Sequence, residues 1–380
     1  MLKSFGQVIG ELRKKRGVSQ RKLARNLNIA ASYLNEIENG RGVIPSDRII
    51  KKMARQLAIP EEALFDSAAC ENRIFPPDIC SLITSHPETL DLLRTINRFA
   101  VNQEDILNLK NHITKQNMKA VILAAGKGSR MQHLTASLPK CLAIKLNNKS
   151  LLEIQMETLR QCGISDIVVV RGYQGNKINF KDLRYVWNED FQNNNILESL
   201  MCAASELDGD VLVSYSDIWY EENVVKKILR SNRDIVIGVD IDWKDYYENR
   251  KLHPITEAEN VIFDSNNRVV KIGKIGATGE EVHGEFIGLM KLTARGCQIL
   301  KEHYRRVKAL YDEKPFQRAK IFRHAYLTDI LQDMADMGIP IYSEIIGSKW
   351  KEIDTPEDLQ NVAAWLVAQP LSNSNSRRSS

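Results

Sequence analysis

The sequence predicts an all-α N-terminal domain followed by an α/β domain built on a mostly parallel sheet. Three observations carry that prediction. The first 60 residues place apolar groups at helical spacing, and from Met118 onward short apolar runs alternate with amphipathic stretches, as in strand–helix–strand units. The charge is also divided. The whole chain of 380 residues carries +5, but residues 1–65 hold 13 Lys and Arg against 6 Asp and Glu, a net +7 that leaves −2 for the rest. A polyanion is therefore expected as a partner of the N-terminus alone.

Length suggests two or three domains at roughly 150 residues each. No run approaches the roughly 18 apolar residues of a membrane helix, so no membrane partner is expected. The N-terminus lacks the charged-then-apolar pattern of an export signal. The six cysteines (Cys70, Cys80, Cys141, Cys162, Cys202, Cys297) form no Cys-x-x-Cys pair and have no neighbouring histidines. They read as reduced thiols, and a cytoplasmic location is expected.

The first helix is predicted over 5–16, with Phe5, Val8, Ile9 and Leu12 on one stripe and a basic last turn closed by Gly17. Ser19 is the N-cap of a second helix carrying Leu23, Ala24 and Leu27 inward. A third starts near Ser32 with Tyr33, Leu34 and Ile37, and Pro45-Ser46 introduce a fourth with Ile49, Ile50, Met53, Ala54 and Leu57. The series Leu12, Arg13, Arg16, Gly17, Ser19, Gln20, Leu23, Ala24, then Tyr33, Leu34, Ile37, Glu38, Asn39, Gly40, resembles the phage-repressor type of helix-turn-helix domain. The resemblance spans 1–66 and implies duplex DNA as partner. It puts the third helix in the major groove, with Ala31, Ser32, Asn35 and Arg41 meeting bases or phosphates and Gln20 and Arg21 at the DNA backbone. The same fold also serves as a docking or dimerising module.

Residues 67–117 read as a helical linker. Pro76-Pro77 and His86-Pro87 punctuate it, and helical stretches follow at Thr89–Ala100 and Asp105–Ile113. Packing on the next domain and pairing with a second chain in a homodimer are both open for it.

The α/β domain is expected over 118–368. It opens with a buried strand, Ala120 to Ala125, that breaks at Gly126 and Gly128 into a loop where backbone N–H groups can approach phosphate. Arg130 and Lys140 add positive charge for a polyphosphate. A helix over 151–161, strands at 167–170 and 183–186, a helix around Ile196 to Leu200 and a strand at 210–214 follow. Asp217 then falls at a strand end, where ligands sit in such sheets. Further on come a strand at 235–239, a hairpin around Asn266-Asn267, a helix near 327–337 and a last helix ending at Leu366. Residues 369–380, rich in Ser, Asn and Arg, read as a disordered tail.

The ordered set Leu123-Ala124-Ala125-Gly126-x-Gly128-Ser129-Arg130, then Pro139-Lys140-x-Leu142, resembles the signature of nucleotidyltransferases that join an NTP to a phosphorylated acceptor. It implies a Rossmann-like (GT-A type) domain whose loop, Leu123 to Ser129, binds nucleotide. Joining two anions calls for a divalent cation, and Mg²⁺ takes hard oxygens. Asp217 and Asp354 are candidates by chemistry, although a lone Asp at Asp217 would also suit a turn or N-cap. The resemblance implies that these two hold the metal, with Glu352 nearby. Arg130 would grip the β- and γ-phosphates and Lys140 would stabilise charge on the α-phosphate.

Asn195-Ile-Leu-Glu-Ser-Leu200, Gly284-Glu-Phe-Ile-Gly288, Thr328-Asp329 and Trp350-x-Glu-Ile-Asp354 are closest to cytidylyltransferases of the phosphocholine and phosphonate type, which implies CTP, or another NTP, as donor. Asn195 and Ser199 would approach the nucleotide, yet an N-cap and a packed serine explain them as well. Glu285 and Trp350 fall with the acceptor side. Trp219, Tyr220 and Trp243 are expected to rim the acceptor as a cage for an amine-bearing phosphate or phosphonate, with core or dimer packing as the alternative. Two other functions stay open, a transcription regulator whose second half senses a nucleotide or metabolite, and a sugar-1-phosphate nucleotidyltransferase.

Overall fold

The computed structural model describes residues 4–41, 44–57, 59, 61–72, 77–86, 88–99, 102, 105–106, 118–248, 250–275, 282–347 and 349–368. The chain forms two compact units that divide after Ile106. The expected helix at 105–113 beyond Ile106 and the tail at 369–380 lie outside the described residues.

In the first unit, helix α1 (Phe5–Lys15) starts on a capping box between Ser4 and Gln7. Ser19 caps α2 (Gln20–Leu27), and α3 (Ala31–Glu38) and α4 (Asp47–Gln56) follow. The predicted stripes meet in one core of Phe5, Ile9, Leu23, Leu27, Leu34, Ile37, Met53 and Leu57. The helices α1 and α3 touch at Gly6, where a Cβ would lie 1.9 Å from the Ile37 carbonyl oxygen, so only glycine fits. Arg13 adds a two-pronged bond to Glu38, at 2.6 and 2.7 Å. The sequence reading ends this domain at 66. The helix α5 (Glu61–Asn72) runs through that point and contributes Leu64, Phe65 and Ala68 to the core. Helices α6 (Pro77–Ser85) and α7 (Glu88–Arg98), read as linker, belong to the same unit.

In chain order the second unit comprises β1 (Lys119–Ala124), α8 (Lys140–Ala143), β2 (Lys145–Leu146), β3 (Lys149–Ser150), α9 (Leu151–Gln161), β4 (Asp166–Arg171), β5 (Arg184–Trp187), α10 (Ile196–Cys202) and β6 (Val211–Tyr215). Next come β7 (Ile218–Tyr220), α11 (Glu222–Arg230), β8 (Ile235–Asp240), α12 (Trp243–Tyr247), β9 (Asn260–Phe263), β10 (Val269–Gly273) and β11 (Gly284–Leu292). The unit closes with α13 (Ala294–Tyr311), α14 (Leu327–Asp336), β12 (Tyr342–Ile346), β13 (Trp350–Glu352) and α15 (Pro356–Ala368).

The main sheet runs β12-β8-β11-β6-β1-β4-β5, all parallel except β11. The hairpin β9–β10 joins the start of β11. Alternation along the strands builds two apolar layers. Val121, Leu123, Val168, Val170 and Val213 face α10, α13 and α14, while Ala120, Ile122, Ile167, Val169 and Leu212 face α9 and α11. A separate antiparallel pair, β7 with β13, lays Glu352 opposite Ile218. The Ile353 N–H then donates to the Asp217 carbonyl at 2.9 Å, which brings Asp354 beside Asp217.

Candidate active site

Four residues after β1, Gly128 has φ +63, a left-handed conformation that suits glycine. A Cβ there would meet the Lys140 stem at 3.0 Å, so the glycine also lets Lys140 pass beneath the loop. Gly126 faces open space, which leaves that wall as bare backbone. Ser129 opens a turn of 3₁₀ helix to Thr135, whose hydroxyl donates to the Gly128 carbonyl at 3.0 Å and ties the loop down.

This loop walls a cleft of roughly 350 Å³, at the carboxyl ends of β1 and β6. Leu123, Ala125, Gly126, Gly128 and Ser129 line one side. Asn195 and Ser199 line another, and Arg130, Lys140, Asp217 and Asp354 converge between them. Ala124 does not reach the cleft, since the strand's alternation turns it into the core under α9. Asn195 caps α10 through Ile196 N–H at 2.8 Å, and Ser199 accepts from the buried Asn188 amide at 2.9 Å, while both line the cleft.

The charges are tightly interlocked. Lys140 is buried, with Nζ 2.8 Å from Asp217 Oδ2 and in contact with Asp354 Oδ1, while Arg130 pairs with the other Asp354 oxygen. Burial works against the Lys140 ammonium, but Asp217 and Asp354 outweigh it and raise its pKa. Burial likewise works against the Asp354 carboxylate, and Lys140 and Arg130 hold it well below the usual carboxylate range. Burial and then the Asp354 charge push Glu352 up to about 8. Asp217 Oδ1 is buried without a hydrogen-bond partner. An orphaned carboxylate oxygen beside Asp354 and Glu352 is the hard donor set that fits Mg²⁺.

Behind these carboxylates lies a buried network. Arg250 binds Asp358 at 2.7 and 3.1 Å and Glu352 at 3.1 Å, and it donates to His253 Nδ1 at 2.9 Å. Asp358 in turn accepts the N–H groups of Asp354 and Thr355, both at 2.9 Å. His253 Nδ1 also lies 3.3 Å from Asp354 Oδ2, and burial, then the Arg250 charge, lower its pKa to about 4. His253, Glu352 and Asp354 present ligand atoms within 4.8 Å of one another. Arg250 engages both His253 Nδ1 and Glu352, and Asp354 is held by Lys140 and Arg130, so a cation here would compete with these contacts.

A second hollow, of about 150 Å³, adjoins the cleft and shares Arg130, Asn195, Tyr215, Asp217 and Asp354 with it. Glu352 lines it, together with His253, Glu257, Glu259, Lys274 and Tyr326. No motif marks the last five in the sequence, because they come from irregular stretches brought in by the hairpin and by α14.

The expected aromatic rim is corrected by the fold. Trp219, Tyr220, Trp243, Glu285 and Trp350 line neither the cleft nor the adjoining hollow. Trp243 is 1% exposed and packs on Tyr247 and Ala258. Tyr220 is buried, its hydroxyl 3.4 Å from that of Ser214. The Trp350 indole donates to Asp240 at 2.7 Å, Trp219 meets Trp365 edge-on at 5.4 Å, and Glu285 accepts from the Tyr247 hydroxyl at 2.5 Å. The physical reason is that the chain enters β7 directly after Asp217 and pairs with β13, which turns these rings into the scaffold.

In the first unit, Arg21, Ser32, Asn35 and Arg41 are exposed and Gln20 and Ala31 half-buried, on α2, α3 and the turn that follows. The Gln20 amide donates to Asn35 at 3.3 Å and to Glu38 at 3.1 Å, linking the two helices.

The glycine loop over a mostly parallel sheet, with its cations and paired carboxylates, defines a nucleotidyltransferase-type domain, and the first unit defines a helix-turn-helix domain. Residues 120–246 match the MobA-like NTP transferase domain family and residues 9–64 the helix-turn-helix family. Over 256 residues it is 29% identical to a CTP:phosphoglutamine cytidylyltransferase of Campylobacter jejuni, covering 64% of this chain and 98% of the relative. Over 117 residues it is 29% identical to an uncharacterized HTH-type transcriptional regulator of Bacillus subtilis, covering 30% of this chain and 84% of that protein. The solved CTP:phosphocholine cytidylyltransferase of Streptococcus pneumoniae shares the fold, with a TM-score of 0.50 at 20% identity over 66% of this chain and 99% of that one. Among the described residues no helix is long and apolar enough to cross a membrane.

Proposed function

We propose that the protein transfers CMP from CTP to a small phosphorylated acceptor that bears an amino group, releasing pyrophosphate, and that its first unit binds duplex DNA. The observation that carries the transfer is the convergence of Arg130, Lys140, Asp217 and Asp354 on one cleft beneath the glycine loop. An acceptor phosphate oxygen forms the new bond to the α-phosphorus of CTP, the α–β phosphoanhydride bond breaks, and its electron pair leaves with pyrophosphate. The attacking oxygen is already an anion, so no general base is needed. The backbone of Gly126 to Ser129 cradles phosphate oxygens. Arg130 takes the β- and γ-phosphates, and Lys140 meets charge building on the α-phosphate. Asp217 and Asp354, with Glu352 beside them, would hold Mg²⁺, which supplies screening between the two anions.

Cytidine as the base rests on the relatives' activities, phosphoglutamine and phosphocholine cytidylyl transfer. Both of those acceptors carry a nitrogen cation as well as a phosphate, in line with an amine-bearing acceptor here. The experiment is pyrophosphate release from CTP and Mg²⁺ with phosphocholine, 2-aminoethylphosphonate, phosphoglutamine and glucose 1-phosphate. A preference for an amine acceptor is expected. Preference for glucose 1-phosphate, or for UTP over CTP, would overturn the assignment.

A further inference from the structure

The far wall of the second hollow has an arrangement of charge that nucleotide and metal leave unused. Glu259 receives only neutral donors, the Thr328 hydroxyl at 2.8 Å on one oxygen and the Tyr215 hydroxyl at 3.3 Å on the other. Among the described residues no cation lies within ion-pair distance of it. A carboxylate largely withdrawn from water with no cation in contact, only Lys274 and Arg318 farther off, is costly, and a bound cation relieves that cost. Burial accordingly raises the pKa of Glu259.

Lys274 is the opposite pole on the same wall. Its Nζ lies 2.6 Å from Glu257 Oε2 and 5.0 Å from the centre of the Tyr326 ring. Glu257 is 38% exposed, so this pair is of the weak kind that a ligand carboxylate can share or displace at little cost. The backbone leading into Lys274 is held in place. Gly273 before it has φ +120, and Arg318 covers that glycine while donating to the Ile272 carbonyl at 2.8 Å and pairing with Asp329 at 2.8 Å.

The two rings of the hollow are already engaged by its charged groups. The Tyr326 face is taken by Lys274, and the Tyr215 hydroxyl is spent on Glu259. A primary ammonium can donate directly to Glu259, a contact that a trimethylammonium, having no N–H, cannot make.

We infer that this hollow is an acceptor subsite that reads both poles of an α-amino acid, Glu259 taking the ammonium and Lys274 the carboxylate, while the acceptor's phosphate turns toward the α-phosphate of CTP at Lys140. The substrate class is a phosphorylated amino acid. This rests on the transfer reading above.

O-phospho-L-serine and phosphoethanolamine differ by one carboxylate and form a matched pair. With full-length protein, CTP and Mg²⁺, pyrophosphate release is measured for both, and for phosphoglutamine and phosphocholine. The carboxylate-bearing acceptors are expected to exceed phosphoethanolamine and phosphocholine in kcat/KM by roughly tenfold or more. Lys274→Met should bring that ratio near one, and Lys274→Arg should preserve most of it. Glu259→Gln should raise KM for the amine acceptors far more than for CTP. Equal use of the matched pair, or a ratio that survives Lys274→Met, overturns the subsite and leaves the transfer reading standing. No pyrophosphate from any of the four overturns the transfer reading, and the subsite with it.

Discussion

Arg250 is the keystone of the charge network behind the site, and replacing it gives a sharp test. Its side chain is 1% exposed and its fork holds Asp358, Glu352 and His253, with the Tyr246 and Tyr247 rings 4.5 and 4.8 Å from its centre. Arg250→Met keeps most of the volume but leaves two carboxylates without their cation. Breaking a buried pair costs about 3–5 kcal/mol, and full burial calls for no solvent discount. For a domain of this size each kcal/mol moves Tm by roughly 2–4 °C, so the second unit should melt about 6–20 °C lower. Calorimetry of the full chain reads this as a downward shift of the second unit's transition. Arg250→Lys should fall between, as an ammonium cannot reproduce the fork. A drop below about 2 °C in Arg250→Met would show that Asp358 and Glu352 are stabilised by something other than the guanidinium. Asp358 also positions the Asp354 backbone, so kcat in the surviving fold should fall more than KM for CTP rises.

Asp217→Asn and Asp354→Asn should each lower turnover at least about a thousandfold, as expected when a metal carboxylate is lost, with Mg²⁺ affinity by titration calorimetry falling in parallel; near wild-type rates at saturating Mg²⁺ would rule them out as ligands. Trp243→Ala should cost about 3–5 kcal/mol of stability, as for a large core side chain, and leave acceptor KM unmoved. A selective rise in acceptor KM would instead restore Trp243 to the substrate rim. DNA binding by the full chain, followed by fluorescence anisotropy, should weaken linearly in log–log coordinates as salt rises, because phosphate contacts release counterions. A flat dependence, or no binding at low salt, would leave a protein-docking role for the first unit.

Local signals were legible and long-range pairings were not. Ser19, Gly17 and the apolar stripe of α1 announce their helices because caps and periodicity act within a turn or two. The glycine loop, Arg130 and Lys140 lie close together in the chain, and Asp217 follows a strand directly, so cleft and sheet edge could be read together. That α5 carries the core past 66 was not legible, because Leu64, Phe65 and Ala68 gain meaning only when folding sets them beside Leu57 and Met53. His253 and Arg250 carried no signal at all. A lone histidine and arginine in an irregular stretch gain meaning only when folding sets them against Asp354, Glu352 and Asp358.

The misplaced aromatic residues show what the neighbourhood of the two aspartates requires. Asp217 and Asp354 come from distant parts of the chain, and their spacing is set by main-chain bonding, through the β7–β13 pair and the Ile353 N–H on the Asp217 carbonyl. A two-stranded ribbon alone is marginal in water and must be anchored by its side chains. Tyr220 ties it to β6 through Ser214, Trp350 ties it to the end of β8 through Asp240, and Trp219 packs on Trp365 of α15. The large rings beside Asp217 therefore serve here to hold two carboxylates at fixed separation, and in the proposed reaction recognition of the acceptor falls to charged groups that the hairpin brings in from elsewhere.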